Sequence, residues 1–387
     1  MYKMLPAIIL TILVTAMTTF SQGAASVQPD KQGVELRWLE GTVPAMFNGT
    51  TWGVPWPQGL HRPGESFILR NDKGMEIPLQ SWPLGYWPDG SLKWTAHAIA
   101  CGSELTEKMR LEAGETDKPL PRIVVTETAD SIEVDTGSMK CRIGRTGKSV
   151  IRSIERNGRI LGKEAELICL RQDRAEAPED GTIRQERSTG FIEKAIVEQS
   201  GPLRVVICVQ GVHKSSGARA WLPFTLRLYF YSGSSAIRIM HTFVYDGDEY
   251  KDFIRGIGLR FSMPMRDELH NRHIRFTGQD NGLWAEAVRG LTGLRRDAGE
   301  TARQAQVAGM PTPPLDEIDP RVSERLELIP AWGDFTLSQL SADGFQIRKR
   351  TKPGYGWIAA GAGKRASGAG YIGSHMVLEL IDAGESV

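Results

Sequence analysis

The sequence predicts an all-β fold in which a small β-barrel is followed by a large antiparallel β-sandwich. Residues 41–98 are dense in tryptophan, proline and glycine, which predicts short strands joined by tight turns. From residue 123 onward, runs that alternate apolar and polar residues recur at short intervals, as half-buried antiparallel strands do. No segment of the first region has the length of an amphipathic helix. With 387 residues in all, the chain is long enough for two domains.

The first unit, residues 32–120, is the predicted small barrel. The turn Pro88–Ser91 has suitable chemistry, because proline presets φ and glycine accepts a positive φ. Residues 113–122 are polar, contain two prolines and predict the domain boundary. The runs that predict strands in this unit are 34–40, 66–72 and 91–101.

The second unit, residues 123–387, is the predicted sandwich. Residues 225–231 alternate most clearly, and after the turn at 232–235 the chain returns through 236–241, which predicts a long hairpin. So many paired strands over this length favour two packed antiparallel sheets. Residues 299–326 are polar and proline-rich and predict an irregular excursion across the surface.

The N-terminus, residues 1–25, predicts a secretory signal peptide. Lys3 is followed by the uncharged apolar run Leu5–Phe20 and by small residues at 23–25, which is the usual order of such a signal. The alternative is a membrane anchor, but the run falls short of the roughly 20 residues that a span needs and contains four threonines. We therefore expect a secreted or periplasmic protein without a membrane span after cleavage.

Composition excludes several classes of function. The formal net charge is +1 with acids and bases well mixed, and no basic block indicates a nucleic-acid partner. The sequence has no GxSxG nucleophile elbow, no HExxH zinc motif and no phosphate-binding loop. The cysteines lack the spacing of a metal site, and both buried free thiols and disulfides stay open for them. They are Cys101, Cys141, Cys169 and Cys208.

Four long strings carry a family resemblance. Residues 41–59 and 79–98 resemble the N-terminal RIFT-type barrel of the rhamnogalacturonan exolyase (PcRGLX/YetA-like) family, and residues 223–261 and 332–368 resemble its central β-sandwich. Members of this family normally continue into a large C-terminal α/α toroid, whereas this sequence stops at Val387. The resemblance therefore implies that a toroid is missing here, and that a separate toroid-bearing chain is a candidate partner.

The resemblance implies β-elimination at a uronic acid, which removes the proton α to a carboxylate. That chemistry needs a general base, an acid for the leaving oxygen and positive charge at the carboxylate, for which the planar fork of arginine is suited. His241, Tyr245 and Arg255 lie together at a predicted strand end and its following turn, and they are the candidate catalytic residues. The alternative is a solvated acidic hairpin turn.

No metal or other cofactor is predicted, and Ca²⁺ is the alternative. The run Asp246–Glu249 is acidic, and Ca²⁺ replaces arginine in some lyases, but the run lacks the spacing of the twelve-residue calcium loop. His270 and His273 are three residues apart without an evident third ligand.

Candidate substrate-binding residues occur in both units. Trp56 and Trp87 are flanked by proline and glycine and are candidates for stacking on sugar rings, with packing in the barrel core as the alternative. Arg348 and Arg350 with Trp357 are candidates for holding an anionic sugar, with a charged strand face as the alternative.

The resemblance thus implies exo-acting elimination of rhamnogalacturonan, with a uronic-acid-containing polysaccharide as the partner of the protein. Two rival functions stay open. One is a non-catalytic carbohydrate-binding or scaffold module, and the other is a glycoside hydrolase that uses two carboxylates across a cleft.

Overall fold

The structure is a computed structural model in which part of the chain is described. The predicted signal peptide, residues 1–25, lies outside the described residues. The described ranges are 33–44, 47–116, 119–175, 181–217, 219–277, 283–292, 296–341, 344–352, 355–362 and 377–382. Strands dominate these ranges, so the predicted all-β class is confirmed.

Two small antiparallel sheets form the N-terminal barrel. Their strand orders are β1-β7-β3-β4 and β2-β6-β5. The strands are β1 (Val34–Arg37), β2 (Thr50–Pro55), β3 (Phe67–Asn71), β4 (Glu76–Ile77), β5 (Gln80–Tyr86), β6 (Leu92–Ile99) and β7 (Lys108–Ala113). Both sheets contribute to one apolar core, in which Leu69, Ile99 and Leu111 are fully buried.

A chain of polar side chains crosses this apolar core. Trp56 Nε1 donates to Thr95 Oγ1 at 2.7 Å, Thr95 Oγ1 lies 2.6 Å from His97 Nε2, and His97 Nδ1 lies 2.8 Å from Ser81 Oγ. Because a buried polar group is costly without a partner, these bonds allow His97 to be fully buried. Desolvation lowers the pKa of His97 to about 4, so the imidazole is neutral at neutral pH.

The sandwich is one long, bent antiparallel sheet of ten strands. Its order is β16-β15-β14-β13-β12-β11-β10-β9-β8, with β17 paired to β12. The strands are β8 (Val124–Glu127), β9 (Ser131–Asp135), β10 (Lys140–Gly144), β11 (Ser149–Arg156), β12 (Arg159–Gln172), β13 (Gln185–Ser200), β14 (Arg204–Ser215), β15 (Ala220–Tyr231), β16 (Arg238–Phe243) and β17 (Phe253–Ser262).

Strand β12 divides this sheet into two facing layers. β17 pairs with β12 from Lys163 to Gln172, a stretch that overlaps the parts of β12 paired with β11 and with β13. Since a strand has two edges, β11 and β13 must use the same edge of β12 in succession. The layers β8–β11 and β13–β16 therefore diverge from β12 and enclose one core, to which Ile132 and Ile143 contribute from one layer and Ile207 and Phe230 from the other.

The remaining chain forms two three-stranded sheets and a short helical segment. The sheet orders are β19-β18-β23 and β20-β21-β22. The elements are β18 (Arg272–Thr277), β19 (Leu283–Ala287), α1 (Glu300–Ala308), α2 (Pro320–Ser323), β20 (Asp334–Ser341), β21 (Gly344–Lys352), β22 (Tyr355–Ala362) and β23 (Val377–Asp382), with 3-10 turns at Leu315–Glu317 and Leu326–Leu328. Buried Lys349 bonds to Glu286, and its Nζ lies 4.3 Å from the centre of the Trp332 ring, which joins the two sheets.

The four cysteines are free thiols, and three of them are buried. Desolvation raises the pKa of Cys169 to about 11 and that of Cys141 further still, so these thiols are unreactive core residues. Within the described ranges, no helix has both the length and the apolar character to cross a bilayer.

Direct contacts join the barrel to the sandwich. Gln80 Oε1 accepts hydrogen bonds of 2.9 Å from the backbone N–H groups of Leu203 and Arg204, and the hydroxyls of Thr51 and Tyr231 lie 2.9 Å apart. Gly49 has a φ of +95° and packs so closely on Tyr231 that a Cβ atom there would lie 2.3 Å from the ring. The junction therefore requires glycine at this position for two reasons, backbone conformation and space.

We expect Gly49→Ala to destabilise the protein by at least about 3 kcal/mol, because it combines a left-handed backbone with overlap on Tyr231. Gly64 has a φ of +88° and open space around its Cβ position, so Gly64→Ala is the matched control and should cost about 1 kcal/mol. Urea unfolding of both variants measures the difference. Equal losses would show that the contact with Tyr231 is not tight.

Candidate functional site

His241 lies on the edge strand β16 of the described sheet and faces the inside of the sandwich. It pairs with Leu226, a core residue, so the two side chains share the core-facing side. Ile239 and Phe243 lie on the same side of β16, yet each is more than a third exposed. The inner face of the sandwich is therefore open to solvent along β16, and His241 stands in that opening.

The structure places a second histidine, His213, beside His241. The two ring centroids are 6.2 Å apart, and both rings contact Phe224. His213 Nδ1 lies 2.9 Å from the carbonyl oxygen of Leu222, and because a carbonyl only accepts, Nδ1 carries the proton. Nε2 of His213 is thus an unprotonated nitrogen, and it is buried without a hydrogen-bond partner, as is Nε2 of His241.

Both imidazoles are held in the neutral form. Burial lowers the pKa of His241, and the neighbouring His213 lowers it further. Burial also lowers the pKa of His213, against the opposing effect of its bond to Leu222. A neutral imidazole with an unpaired nitrogen is able to accept a proton, which is the property that a general base requires.

Leu222 connects the two histidines to the loop that follows β16. Its φ of +47° lies in the left-handed region, which is strained for a residue other than glycine. Hydrogen bonds hold the strained peptide from both sides. His213 binds its carbonyl oxygen, and Asp246 Oδ1 accepts from its N–H at 2.7 Å.

Asp252, whose side chain is buried, holds the same loop through a network of hydrogen bonds. Its carboxylate accepts from Arg219 at 2.8 and 2.5 Å, from Arg171 at 2.7 Å and from the backbone N–H of Asp248 at 2.7 Å. The hydrogen bonds from Arg219 are the main reason that the pKa of Asp252 lies far below its ordinary value. Asp252 is therefore a permanent anion that fixes two arginines next to the loop.

Tyr245 and Arg255, the other two candidate catalytic residues, lie in different parts of the structure. The hydroxyl of Tyr245 donates to loop carbonyls, 3.0 Å from that of Asp248 and 2.8 Å from that of Asp252. Desolvation and the nearby carboxylates raise its pKa, so the phenol stays protonated. Arg255 is an exposed residue of β17, and β17 is not a neighbour of β16 in the sheet. Among the contacts of the described residues, none joins Arg255 to His241, whereas Asp252 holds the guanidinium groups of Arg219 and Arg171 at the loop.

The acidic residues of the loop bind protein groups. Asp246 accepts from the N–H of Leu222, while Asp248 accepts from the N–H of Tyr250 at 2.9 Å and pairs with Lys251 at 3.2 Å. In the part of the chain that the structure describes, no three His, Cys, Asp or Glu side chains are grouped as metal ligands. The Ca²⁺ alternative stays a prediction.

The two candidate tryptophans of the barrel differ in burial. Trp56 is 4% exposed and stacks on Phe67 at 5.4 Å, so its ring packs in the core and the predicted sugar contact is corrected to core packing. Trp87 is half-buried, its Nε1 donates to the carbonyl of Trp56 at 2.9 Å, and the Nζ of Lys93 lies 4.6 Å from its ring centre. Trp87 keeps part of its surface in solvent.

Arg348 and Arg350 lie on one face of β21, both half-buried, opposite the face of buried Ile347 and Lys349. The register pairs Arg350 with Asp334 and pairs Trp357 with Lys349. The side chain of Trp357 lies outside the described residues. The two arginines therefore form a charged strand face, and their predicted contact with a sugar stays a prediction.

Comparison with known proteins shows the family. Residues 32–114 match the model of the PcRGLX-like N-terminal RIFT barrel domain, and residues 123–377 match that of the PcRGLX-like protein central beta sandwich domain. The chain belongs to the PcRGLX-like family. It is 34% identical over 341 residues to the uncharacterized protein YetA of Bacillus subtilis (strain 168). That match covers 88% of this chain, which spans about 39% of the length of YetA.

Asp252 provides a test of the loop in this PcRGLX-like chain. We expect Asp252→Asn to lower the free energy of unfolding by about 3–5 kcal/mol at neutral pH, because it leaves Arg219 without its anion and Arg171 with Glu186 alone. Since the folded pKa of Asp252 is lowered, its stabilisation is complete above the unfolded pKa of about 4 and is lost as the pH falls below it.

Asp248→Asn is the matched control, because Asp248 is exposed and should change the stability by about 1 kcal/mol or less. Urea unfolding at pH 7 and pH 3 compares the two variants with the parent chain. A loss for Asp252→Asn no larger than that for Asp248→Asn would contradict the role given to the network.

Proposed function

We propose that this PcRGLX-like chain acts as part of a secreted or periplasmic polysaccharide lyase that cleaves uronic-acid-containing glycans of the rhamnogalacturonan type by β-elimination. The observation that carries the proposal is His241, a half-buried neutral imidazole on the open inner face of β16. Family membership supports the same reaction, since the family name refers to rhamnogalacturonan lyases.

In the proposed reaction, the neutral imidazole of His241 takes the proton on the carbon α to the uronate carboxylate. The electrons of that C–H bond form the carbon–carbon double bond, and the bond to the leaving glycosidic oxygen breaks. Tyr245 or water protonates that oxygen, and the raised pKa of Tyr245 keeps its proton available at neutral pH.

Positive charge is needed at the carboxylate while the anion forms. Arg219 fits this role better than Arg255, because Asp252 fixes it at the loop while its side chain keeps 41% of its surface exposed. His213 acts as a positioning residue, because it holds Leu222 and helps to keep His241 neutral. We also propose a toroid-bearing chain as a candidate partner, as the family resemblance implies.

The direct test is the near-ultraviolet absorbance of the unsaturated product when the chain acts on rhamnogalacturonan I, with and without Ca²⁺. We expect His241→Gln to reduce the rate at least 100-fold, the usual contribution of a general base. Thr242→Ala is the control, because Thr242 is exposed on the opposite side of β16 and should leave the rate unchanged.

Other outcomes would contradict the proposal. Glycan binding without any product would favour a binding module. A new reducing end without ultraviolet absorbance would favour a hydrolase.

The pH profile tests the histidine pair separately. His241 must be deprotonated to act as a base, and its lowered pKa places the acid limb of kcat/KM below about pH 6.5. His213→Asn removes an imidazole whose protonated form would repel a protonated His241, while it keeps an N–H for Leu222, so the acid limb should shift to higher pH. Thr242→Ala should leave the limb in place; a shift to lower pH in His213→Asn would refute the coupling.

A further inference from the structure

The barrel contains a cavity that is separate from the His241 site. It has a volume of about 500 Å³ and opens between the two barrel sheets, where Phe67 begins β3, Ser81 lies on β5 and Glu115 follows β7. A volume of this size accommodates a small ligand, and the mouth of a barrel is a common place for such a site. Nothing in the proposed elimination uses this cavity.

The buried chain of polar side chains in the barrel ends at the cavity, and its hydrogen bonds all donate in one direction, toward Ser81. An indole N–H only donates, so Trp56 occupies Thr95 Oγ1 as an acceptor, and the single Thr95 proton is donated to His97 Nε2. His97 then carries its proton on Nδ1 and donates it to Ser81 Oγ. The reverse order would leave the proton of buried Thr95 without an acceptor.

Ser81 is consequently left with its own proton to donate. It is exposed, its oxygen already accepts from His97, and it lines the cavity. A hydroxyl fixed in this way is preorganised to donate to an oxygen of a ligand, because the bonds behind it restrict its rotation.

The charge of the cavity selects against acidic ligands. Glu65 and Glu115 line it, and its described lining residues include no lysine or arginine. A uronate carboxylate would be repelled by these acids, whereas sugar hydroxyls are able to donate to them. Phe67, Leu79 and Pro83 offer apolar surface to the C–H groups of a ring.

We propose that this cavity binds a neutral sugar unit, with Ser81 donating to a ring or hydroxyl oxygen and Glu115 accepting from a sugar hydroxyl. The proposal is independent of the elimination reaction, since it concerns another domain and another class of sugar. Absence of lyase activity would leave it unchanged.

Saturation-transfer NMR on the whole chain tests the proposal with D-galactose, L-rhamnose, L-arabinose and D-galacturonate as probes. Galacturonate differs from galactose by the carboxylate at C6, so this pair isolates the effect of charge. We expect binding of at least one neutral sugar and weaker binding of galacturonate than of galactose.

Two variants locate the site. Ser81→Ala should weaken binding of the neutral sugar roughly fivefold to tenfold through loss of one hydrogen bond, and Ser81→Trp should abolish binding by filling the cavity. Ser103→Ala removes a hydroxyl from the same barrel outside this cavity and should have no effect. Circular dichroism checks that each variant is folded.

Three results would overturn the proposal. These are no binding of any neutral sugar, unchanged binding in both Ser81 variants, or tighter binding of galacturonate than of the neutral sugars.

Discussion

The pairing of β12 with two strands along one edge is the constraint on which the rest of the sandwich depends. Because β11 and β13 follow each other on that edge, the chain cannot continue as a single flat sheet, and its two halves fold over a common core. The layer that begins with β13 ends at β16, and the core face of that last strand extends into solvent. The open position of His241 is therefore a consequence of how β12 divides the sheet.

Within that opening, polar side chains have two distinct roles. The carboxylates of Asp246 and Asp252 accept hydrogen bonds from the N–H groups of Leu222 and Asp248. The hydroxyl of Tyr245 donates to the carbonyl of Asp252, and these bonds hold the loop and the strained peptide of Leu222. The Nε2 atoms of His213 and His241, in contrast, are buried without a hydrogen-bond partner. An unpaired buried polar atom costs stability, and a site that must accept a proton is where such a cost is expected to be retained. The acidic residues therefore position the loop, while the proposed reaction assigns the role of base to the histidine pair.

Much of this arrangement was predictable from the sequence, because the alternation of apolar and polar residues along a strand determines which of its faces is buried. The hairpin of residues 225–241 follows the predicted pattern, and β15 and β16 pair along it. No sequence pattern marks His213 as a residue of the site, since a single histidine at the end of an apolar strand resembles a core residue. Knowledge of the β14–β15 register, which sets Gly211 opposite Phe224, would have been needed to bring it near His241.

Other features depend on tertiary contacts that a local pattern does not contain. Helix α1 lies in a stretch predicted to be irregular, and Gly299 gives it no side-chain cap. Its buried Gln306 binds the backbone of His270, Arg289 and Leu291, so the helix is held by partners distant in sequence. The burial of Trp56 likewise follows from the acceptor that Thr95 provides on another strand.

The two candidate sites have opposite electrostatic character, and side-chain contacts join the two domains that contain them. Arginines fixed by Asp252 lie at the loop that follows β16, whereas carboxylates line the barrel cavity. Arg204 lies 5.1 Å from the ring centres of both Trp82 and Tyr229, and together with Gln80 it ties the barrel to β14 and β15. Under the two proposals, a glycan that contains both acidic and neutral units would therefore bind across this junction. The fold itself would then select which uronate of the chain reaches His241.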